Sequence, residues 1–228
     1  MASTDVGVDD AYRAAVVDLL GVLAYGELMA FERLAADAAL APTIDDEAQL
    51  AGMAAAEFRH FTRLRDRLVE LGADPAQAMA PFRAPLESFH EMTAPSDWLE
   101  GLVKAYVGDG IGVDFYREIA EFLDPQTRAL VLEVCEDLGQ SAFVVDRVRA
   151  AIVADPRVEG RLALWARRLV GEALSQAQHV AAEREALTAL LIGGAGGHGG
   201  MDMTAIGDLL TRLTDEHSRR MQALGLSS

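Results

Sequence analysis

Apolar residues recur every three or four positions along most of this 228-residue chain, in long segments separated by turns that contain proline or glycine. This spacing is that of an amphipathic α-helix, which presents one apolar face to a core. No segment alternates with the period of two that a half-buried strand shows. Hydrophobic residues, with alanine and leucine prominent, make up 51% of the chain, and those two residue types favour helices. The sequence therefore predicts an all-α protein.

The turn residues divide the chain into helices joined by one long crossover. We expect helices at residues 9–41, 44–71, 96–123, 125–154, 158–192 and 204–224, with Gly72 ending the second helix and Ser96 capping the third. Four prolines within residues 73–95 prevent a continuous helix there, which makes this segment the crossover between helices 2 and 3. Short turns elsewhere make antiparallel neighbours. This order predicts a ferritin-like four-helix bundle with two additional C-terminal helices.

Glycine also suggests a division of the chain into parts. Residues 193–200 include six glycines, which is typical of a flexible linker. We therefore expect a helical domain at residues 1–192, a linker at 193–203, and a C-terminal helix and tail at 204–228.

Charge and cysteine content narrow the functional classes. The net charge is −16, so the surface should repel phosphate backbones, and general nucleic-acid binding is not expected. A single cysteine, Cys135, rules out an internal disulfide and fits a reducing compartment. The sequence shows neither a targeting segment nor a charge-free apolar run of membrane-spanning length. We expect a cytoplasmic protein that does not enter the membrane.

Each of the first four predicted helices carries one acidic residue in the middle of its apolar face. These residues are Glu27, Glu57, Asp109 and Asp137. A buried carboxylate without a partner is costly, so four that converge would raise one another's pKa or require a cation. The two pairs are separated by 30 and 28 residues, which places their members at the same height in two antiparallel hairpins.

The second acid of each hairpin has a polar residue three positions later. In the first hairpin this residue is His60, which shares a helix face with Glu57, so the two can bind one metal ion. In the second hairpin Gln140 occupies the equivalent place after Asp137. Glu136 is an alternative to Asp137, because it stands four residues before Gln140.

This layout resembles the ferritin-like di-iron carboxylate proteins, whose signature is Glu, Glu-x-x-His, Glu, Glu-x-x-His over four helices. The motifs AYGE at residues 24–27 and AEFRH at residues 56–60 look most like the tRNA hydroxylase family that oxidises an isopentenyl-modified adenosine, in an actinobacterial branch. The resemblance covers residues 9–155. It implies that Glu27, Glu57 and His60 are iron ligands. The other three ligand positions would be those of Asp109, Asp137 and Gln140.

The resemblance implies a non-haem protein with two irons per chain that uses O2 to hydroxylate a small apolar substrate or a modified nucleoside. Electrons would come from an external reductase, because no nucleotide-binding glycine motif is present. Five aromatic residues are expected near the pocket: Tyr25, Phe31, Phe61, Tyr106 and Tyr116. The aspartates and Gln140 depart from the family pattern, so a site with one metal or none remains an alternative. The chain would then be a non-catalytic binding or scaffold protein. In either case we expect a homodimer, and iron storage is a weaker third hypothesis.

Overall fold

The computed structural model describes residues 3–136, 140–192 and 201–227, and all regular structure in those ranges is helical. This confirms the predicted all-α class. The helices are α1 (Ser3–Ala38), α2 (Ile44–Glu70), α3 (Pro75–Met79), α4 (Arg83–Met92), α5 (Trp98–Val103), α6 (Asp109–Ala120), α7 (Pro125–Val134), α8 (Gln140–Ala154), α9 (Arg157–Glu183), α10 (Glu185–Ile192) and α11 (Met203–Leu224). A 3-10 turn at Ala80–Phe82 joins α3 to α4, and a π-helical turn at Lys104–Gly108 joins α5 to α6.

The long helices α1 and α2 form the first antiparallel hairpin of the bundle. Gly72 ends α2 as predicted, because its φ of +70° lets its N–H reach the Val69 carbonyl while Ala73 reaches Leu68. The expected cap of the third helix is wrong by one residue. Asp97, rather than Ser96, caps α5 and accepts a hydrogen bond from the backbone N–H of Glu100 in its first turn.

The crossover is not one continuous helix, as its prolines predicted, and it consists of short helical pieces. It contains α3, the 3-10 turn and α4, and it lies against α1. Phe82 is fully buried in the core, and Leu86 and Phe89 are partly buried against it. Gly21 of α1 permits the close approach, since a Cβ there would lie 2.3 Å from the carbonyl oxygen of Ala78.

The predicted continuous helix over 158–192 is wrong, because Arg184 separates α9 from α10. Arg184 has non-helical φ and ψ of −117° and 79°. Its guanidinium donates two hydrogen bonds to the buried carboxylate of Asp18 on α1 and lies 5.6 Å from the ring centroid of Phe82. This charge-assisted pairing turns the chain so that α10 packs on α1.

The predicted continuous helix over 125–154 is also wrong. Helix α7 ends at Val134, and Arg117 donates a hydrogen bond of 2.5 Å to the carbonyl of Cys135, the residue after this end. Helix α8 begins at Gln140. Residues 137–139 lie outside the described residues.

Two glycines of the third predicted helix lie where that helix is irregular or tightly packed. Gly108 belongs to the π-helical turn, which inserts an extra residue into the helix just before Asp109. At Gly110 a Cβ would lie 2.8 Å from Cδ and Nε of Arg220, so α11 packs tightly on α6 there.

Helix α11 packs on α6 and α8 instead of standing apart from the bundle. Residues 193–200 of the expected linker lie outside the described residues, so the division into domain, linker and tail stays a prediction.

One stretch of α1, Asp10–Ala38, is long and apolar enough to cross a membrane by length and composition alone. Half of its most apolar window is buried within the bundle, as in the core helix of a soluble protein. It is therefore weak evidence for a membrane span.

Candidate metal centre

Glu27 of α1 meets Glu57 and His60 of α2 in the middle of the first hairpin. The three offer ligand atoms that all lie within 4.8 Å of one another. Nδ1 of His60 lies 3.4 Å from Oε2 of Glu27 and 3.5 Å from Oε2 of Glu57. The spacing of three residues between Glu57 and His60 places both side chains on the face of α2 that is turned toward α1.

Two atoms of this cluster lack the hydrogen bonds that buried polar atoms normally make. Oε2 of Glu27 and Nδ1 of His60 are buried, and no described residue forms a hydrogen bond with either of them. Their separation of 3.4 Å is longer than a good charge-assisted hydrogen bond. Such orphaned atoms are costly unless another group binds them, and a cation placed between them would do so.

The cluster holds protons when no metal is bound. Burial raises the pKa of Glu27 well above its ordinary range, and the adjacent carboxylate of Glu57 adds to this effect. Burial also acts to raise the pKa of Glu57, but contacts with Glu27 and His60 outweigh it and lower the pKa. Contacts with both glutamates raise the pKa of His60 to about 9. At neutral pH a cation would therefore have to replace the proton that His60 holds.

Asp109 enters the same cavity from α6, directly after the π-helical turn. It is accessible to solvent at the cavity, yet desolvation by the surrounding protein raises the pKa of its carboxyl to about 8, and Glu57 contributes to the shift. Asp109 thus lines the same cavity as the cluster of the first hairpin.

The rest of the predicted ligand set is only partly described. Asp137 lies outside the described residues. Gln140 is the first residue of α8, but its side chain lies outside what the structure describes. Glu136, the alternative to Asp137, is exposed and contributes to the cavity wall.

The cluster opens into a cavity of about 400 Å³ between the two hairpins and the crossover. Its walls are mostly apolar side chains, and this volume lies in the range of small-molecule sites. Of the aromatic residues expected nearby, Tyr106 and Tyr116 line the cavity. Tyr25 is not among its lining residues and donates instead a hydrogen bond to Glu87.

Phe31 and Phe61 do not line the cavity either. Each contacts Phe58 in a tilted arrangement, with ring centroids 5.1 and 5.6 Å apart. Both are partly buried against the core, next in the chain to the cavity residues Ala30 and His60.

Three polar residues of the cavity wall carried no distinguishing signal in the sequence. They are His90 of α4, Asp114 of α6 and Arg220 of α11. Burial lowers the pKa of His90 to about 3, so its imidazole is neutral, and its Nδ1 makes no hydrogen bond to a described residue. Asp114 and Arg220 form an ion pair of 2.7 Å. The three come from distant segments, which only the tertiary fold brings together.

The fold is shared with a solved structure. The chain superimposes with a TM-score of 0.70 on a protein from Synechococcus titled as having aldehyde deformylating oxidase activity, over 95% of this chain and 92% of that one. At 19% sequence identity this similarity shows the fold alone.

Sequence comparison assigns the family more directly. No curated protein matches the chain. Residues 10–194 match the sequence profile of a family described as a ferritin-like domain of actinomycetes. The tRNA hydroxylase branch stays a prediction. Because the matched region includes most of the chain and every helix that supplies the carboxylate cluster, the protein belongs to this actinomycete family of ferritin-like domains.

Proposed function

We propose that this protein is an O2-dependent hydroxylase or oxidase that binds iron through Glu27, Glu57 and His60. The observation that carries the proposal is the pair of orphaned ligand atoms, Oε2 of Glu27 and Nδ1 of His60, at the base of a largely apolar cavity. A structural network of buried polar side chains would be expected to satisfy these atoms with hydrogen bonds.

The donor set fits iron. Two carboxylates and one imidazole nitrogen are ligands that non-haem iron accepts, and Asp109 provides a further carboxyl on the same cavity. We propose that Asp109, with Asp137 and Gln140, completes a second metal position, which gives two irons per chain. Bound and reduced, iron would supply the capacity to activate O2.

The residues around the cluster have three tasks in this proposal. The apolar walls, including Leu23, Met53 and Val113, exclude water and hold an apolar substrate beside the metal ligands. His60 holds a proton until the metal displaces it. Burial raises the pKa of the Tyr116 hydroxyl, which keeps this residue of the wall neutral.

The shape and charge of the protein favour a small substrate over tRNA. A cavity of about 400 Å³ holds a small molecule, and a chain with a net charge of −16 repels a phosphate backbone. Electrons would be delivered by a separate reductase, as the sequence predicted.

Oxygen uptake by the iron-loaded protein tests this proposal. The full chain is loaded anaerobically with Fe(II), supplied with a chemical reductant, and exposed to O2 in an electrode cell. We expect uptake faster than that of the same iron in buffer. Glu57→Gln should abolish the difference, whereas Glu47→Gln, an exposed substitution on the same helix, should preserve it. Equal uptake by wild type and Glu57→Gln would refute the proposal and favour a non-catalytic scaffold.

A further inference from the structure

We infer that the cavity binds an apolar molecule that carries a carboxylate, and that Arg220 of α11 contacts this carboxylate. The inference rests on the proposed function and narrows its substrate class. It assigns a role to the C-terminal helix, which lies outside the family match at residues 10–194.

Arg220 is a largely buried cation in the wall of the same cavity as the carboxylate cluster. Only 13% of its side chain is exposed. Its Nη1 lies 2.7 Å from Oδ2 of Asp114, an ion pair without the angles of a directed hydrogen bond. Its Nε and Nη2 are buried and form no hydrogen bond with any residue in the described ranges.

The two unpartnered nitrogens are hydrogen-bond donors, and their arrangement indicates which ligand would bind to them. A guanidinium presents Nε–H and one Nη–H as parallel donors along one planar edge, and this edge matches the two oxygens of a carboxylate. Leaving both donors buried and unpaired is costly. A ligand that accepts hydrogen bonds from them removes this cost, which favours binding. A neutral hydroxyl or carbonyl could accept only part of this interaction.

The nearby acidic side chains do not pair with Nε and Nη2 of Arg220. Asp114 is also close to Arg117, with Oδ1 and Nη1 4.0 Å apart, so one carboxylate lies between two guanidinium groups. Glu118, the next acid along α6, already accepts two hydrogen bonds from Arg212, at 2.7 and 2.8 Å.

Gly110 fixes the position of the guanidinium. A Cβ at Gly110 would lie 2.8 Å from Nε and 3.0 Å from Cζ of Arg220, so the guanidinium packs closely against α6 at this residue. With Nη1 also anchored on Asp114, the remaining edge is held in place before any ligand arrives. A ligand then binds without the entropic cost of ordering a free arginine.

The rest of the cavity fits the apolar part of such a molecule. The wall of the cavity that Arg220 shares with the carboxylate cluster includes the apolar side chains of Leu23, Met53, Leu86, Val113, Val134 and Val144. A carboxylate on Arg220 would leave the apolar body of the ligand along this wall, beside the residues that hold the metal.

Calorimetric titration with two molecules of the same shape tests the inference. Cyclohexanecarboxylate and cyclohexylmethanol differ in their head group and share one apolar body. We expect the wild-type chain to prefer the carboxylate by roughly 10- to 100-fold, the affinity ratio of one charge-assisted hydrogen-bonded contact. Arg220→Gln should lose this preference. Arg219→Gln, which removes the exposed neighbouring arginine, should keep it.

A second variant guards against misfolding. Gly110→Ala should displace the guanidinium and reduce the preference while Arg220 is still present, and circular dichroism checks that both variants stay folded. A preference that survives in folded Arg220→Gln, or equal binding of the two ligands by wild type, would overturn the inference. Iron content measured on the same samples separates the proposals, because a preference without bound iron would contradict only the proposed function.

Discussion

Gly21→Ala should destabilise the protein, although alanine has a higher helix propensity than glycine. The residue lies inside α1, where alanine is normally the better helix former by about 0.8–1 kcal/mol. At Gly21, however, a Cβ would lie 2.3 Å from the carbonyl oxygen and 2.8 Å from the carbonyl carbon of Ala78, and 3.3 Å from Cε2 of Phe82. The first two atoms belong to the backbone, so no change of rotamer can relieve the contact.

Gly21→Ala should therefore force α3 away from α1 and loosen the fully buried Phe82. Overpacking of this kind costs about 1–3 kcal/mol, and the 2.3 Å contact places it at the upper end. The gain in helix propensity offsets part of this cost, so we expect a net loss of about 1–2 kcal/mol in the free energy of unfolding. Urea denaturation followed by far-UV circular dichroism measures it.

Gly171 provides the matched control. It lies inside α9 with no atom within 4 Å of the position of an added Cβ. Gly171→Ala should therefore stabilise the protein by up to about 1 kcal/mol. If Gly21→Ala stabilised the protein as much as Gly171→Ala does, the packing of the crossover on α1 would be refuted.

Three further predictions concern charge. His60, with a pKa of about 9 against an ordinary 6.5, stabilises the metal-free fold fully below pH 6.5 and loses this contribution as the pH rises to about 9. Asp109, with a pKa raised to about 8, acts in the same direction, so thermal unfolding of chelator-treated protein should shift to lower temperature across this range. Metal binding at neutral pH should release roughly two protons, chiefly from His60 and Asp109, measurable by calorimetry in buffers of different ionisation enthalpy. Arg184→Ala should lower the free energy of unfolding by about 1.5–3 kcal/mol, measured by urea denaturation, because it leaves the buried Asp18 without its partner.

Each of these has a control and a contradicting result. His60→Gln should flatten the pH dependence above pH 6.5, and an unchanged slope would contradict the assignment to His60. Proton release equal to zero would mean that the metal binds elsewhere. Arg157→Ala, at a side chain that is 90% exposed, should change stability by less than about 0.5 kcal/mol. A similarly small effect of Arg184→Ala would contradict a stabilising pair with Asp18.

The helical class and the first half of the site could be predicted because local signals determine them. The apolar spacing and Gly72 define α2. The interval of 30 residues between Glu27 and Glu57 places them at the same height in an antiparallel pair of helices. Gly108, Gly110 and Gly112 lower the helix propensity of the third predicted helix, and the structure shows a π-helical turn just before Asp109.

The errors lie where distant residues override local preference. Nothing in the sequence around Arg184 forbids a helix. The chain turns there because Asp18, 166 residues away, accepts hydrogen bonds from the Arg184 guanidinium. The end of α7 is likewise stabilised by Arg117 from another helix. The contact of Arg220 with Gly110 joins α11 to α6, and neither residue identifies the other in the sequence.

Iron content after reconstitution tests the central claim most directly. The full chain is loaded with Fe(II) under anaerobic conditions, desalted, and analysed for bound metal alongside Glu27→Gln and the matched control Glu32→Gln, an exposed position on the same helix. The account predicts two irons per chain in wild type and Glu32→Gln, and a loss of bound iron in Glu27→Gln. Retention of the same iron by Glu27→Gln, or none by wild type, would contradict it.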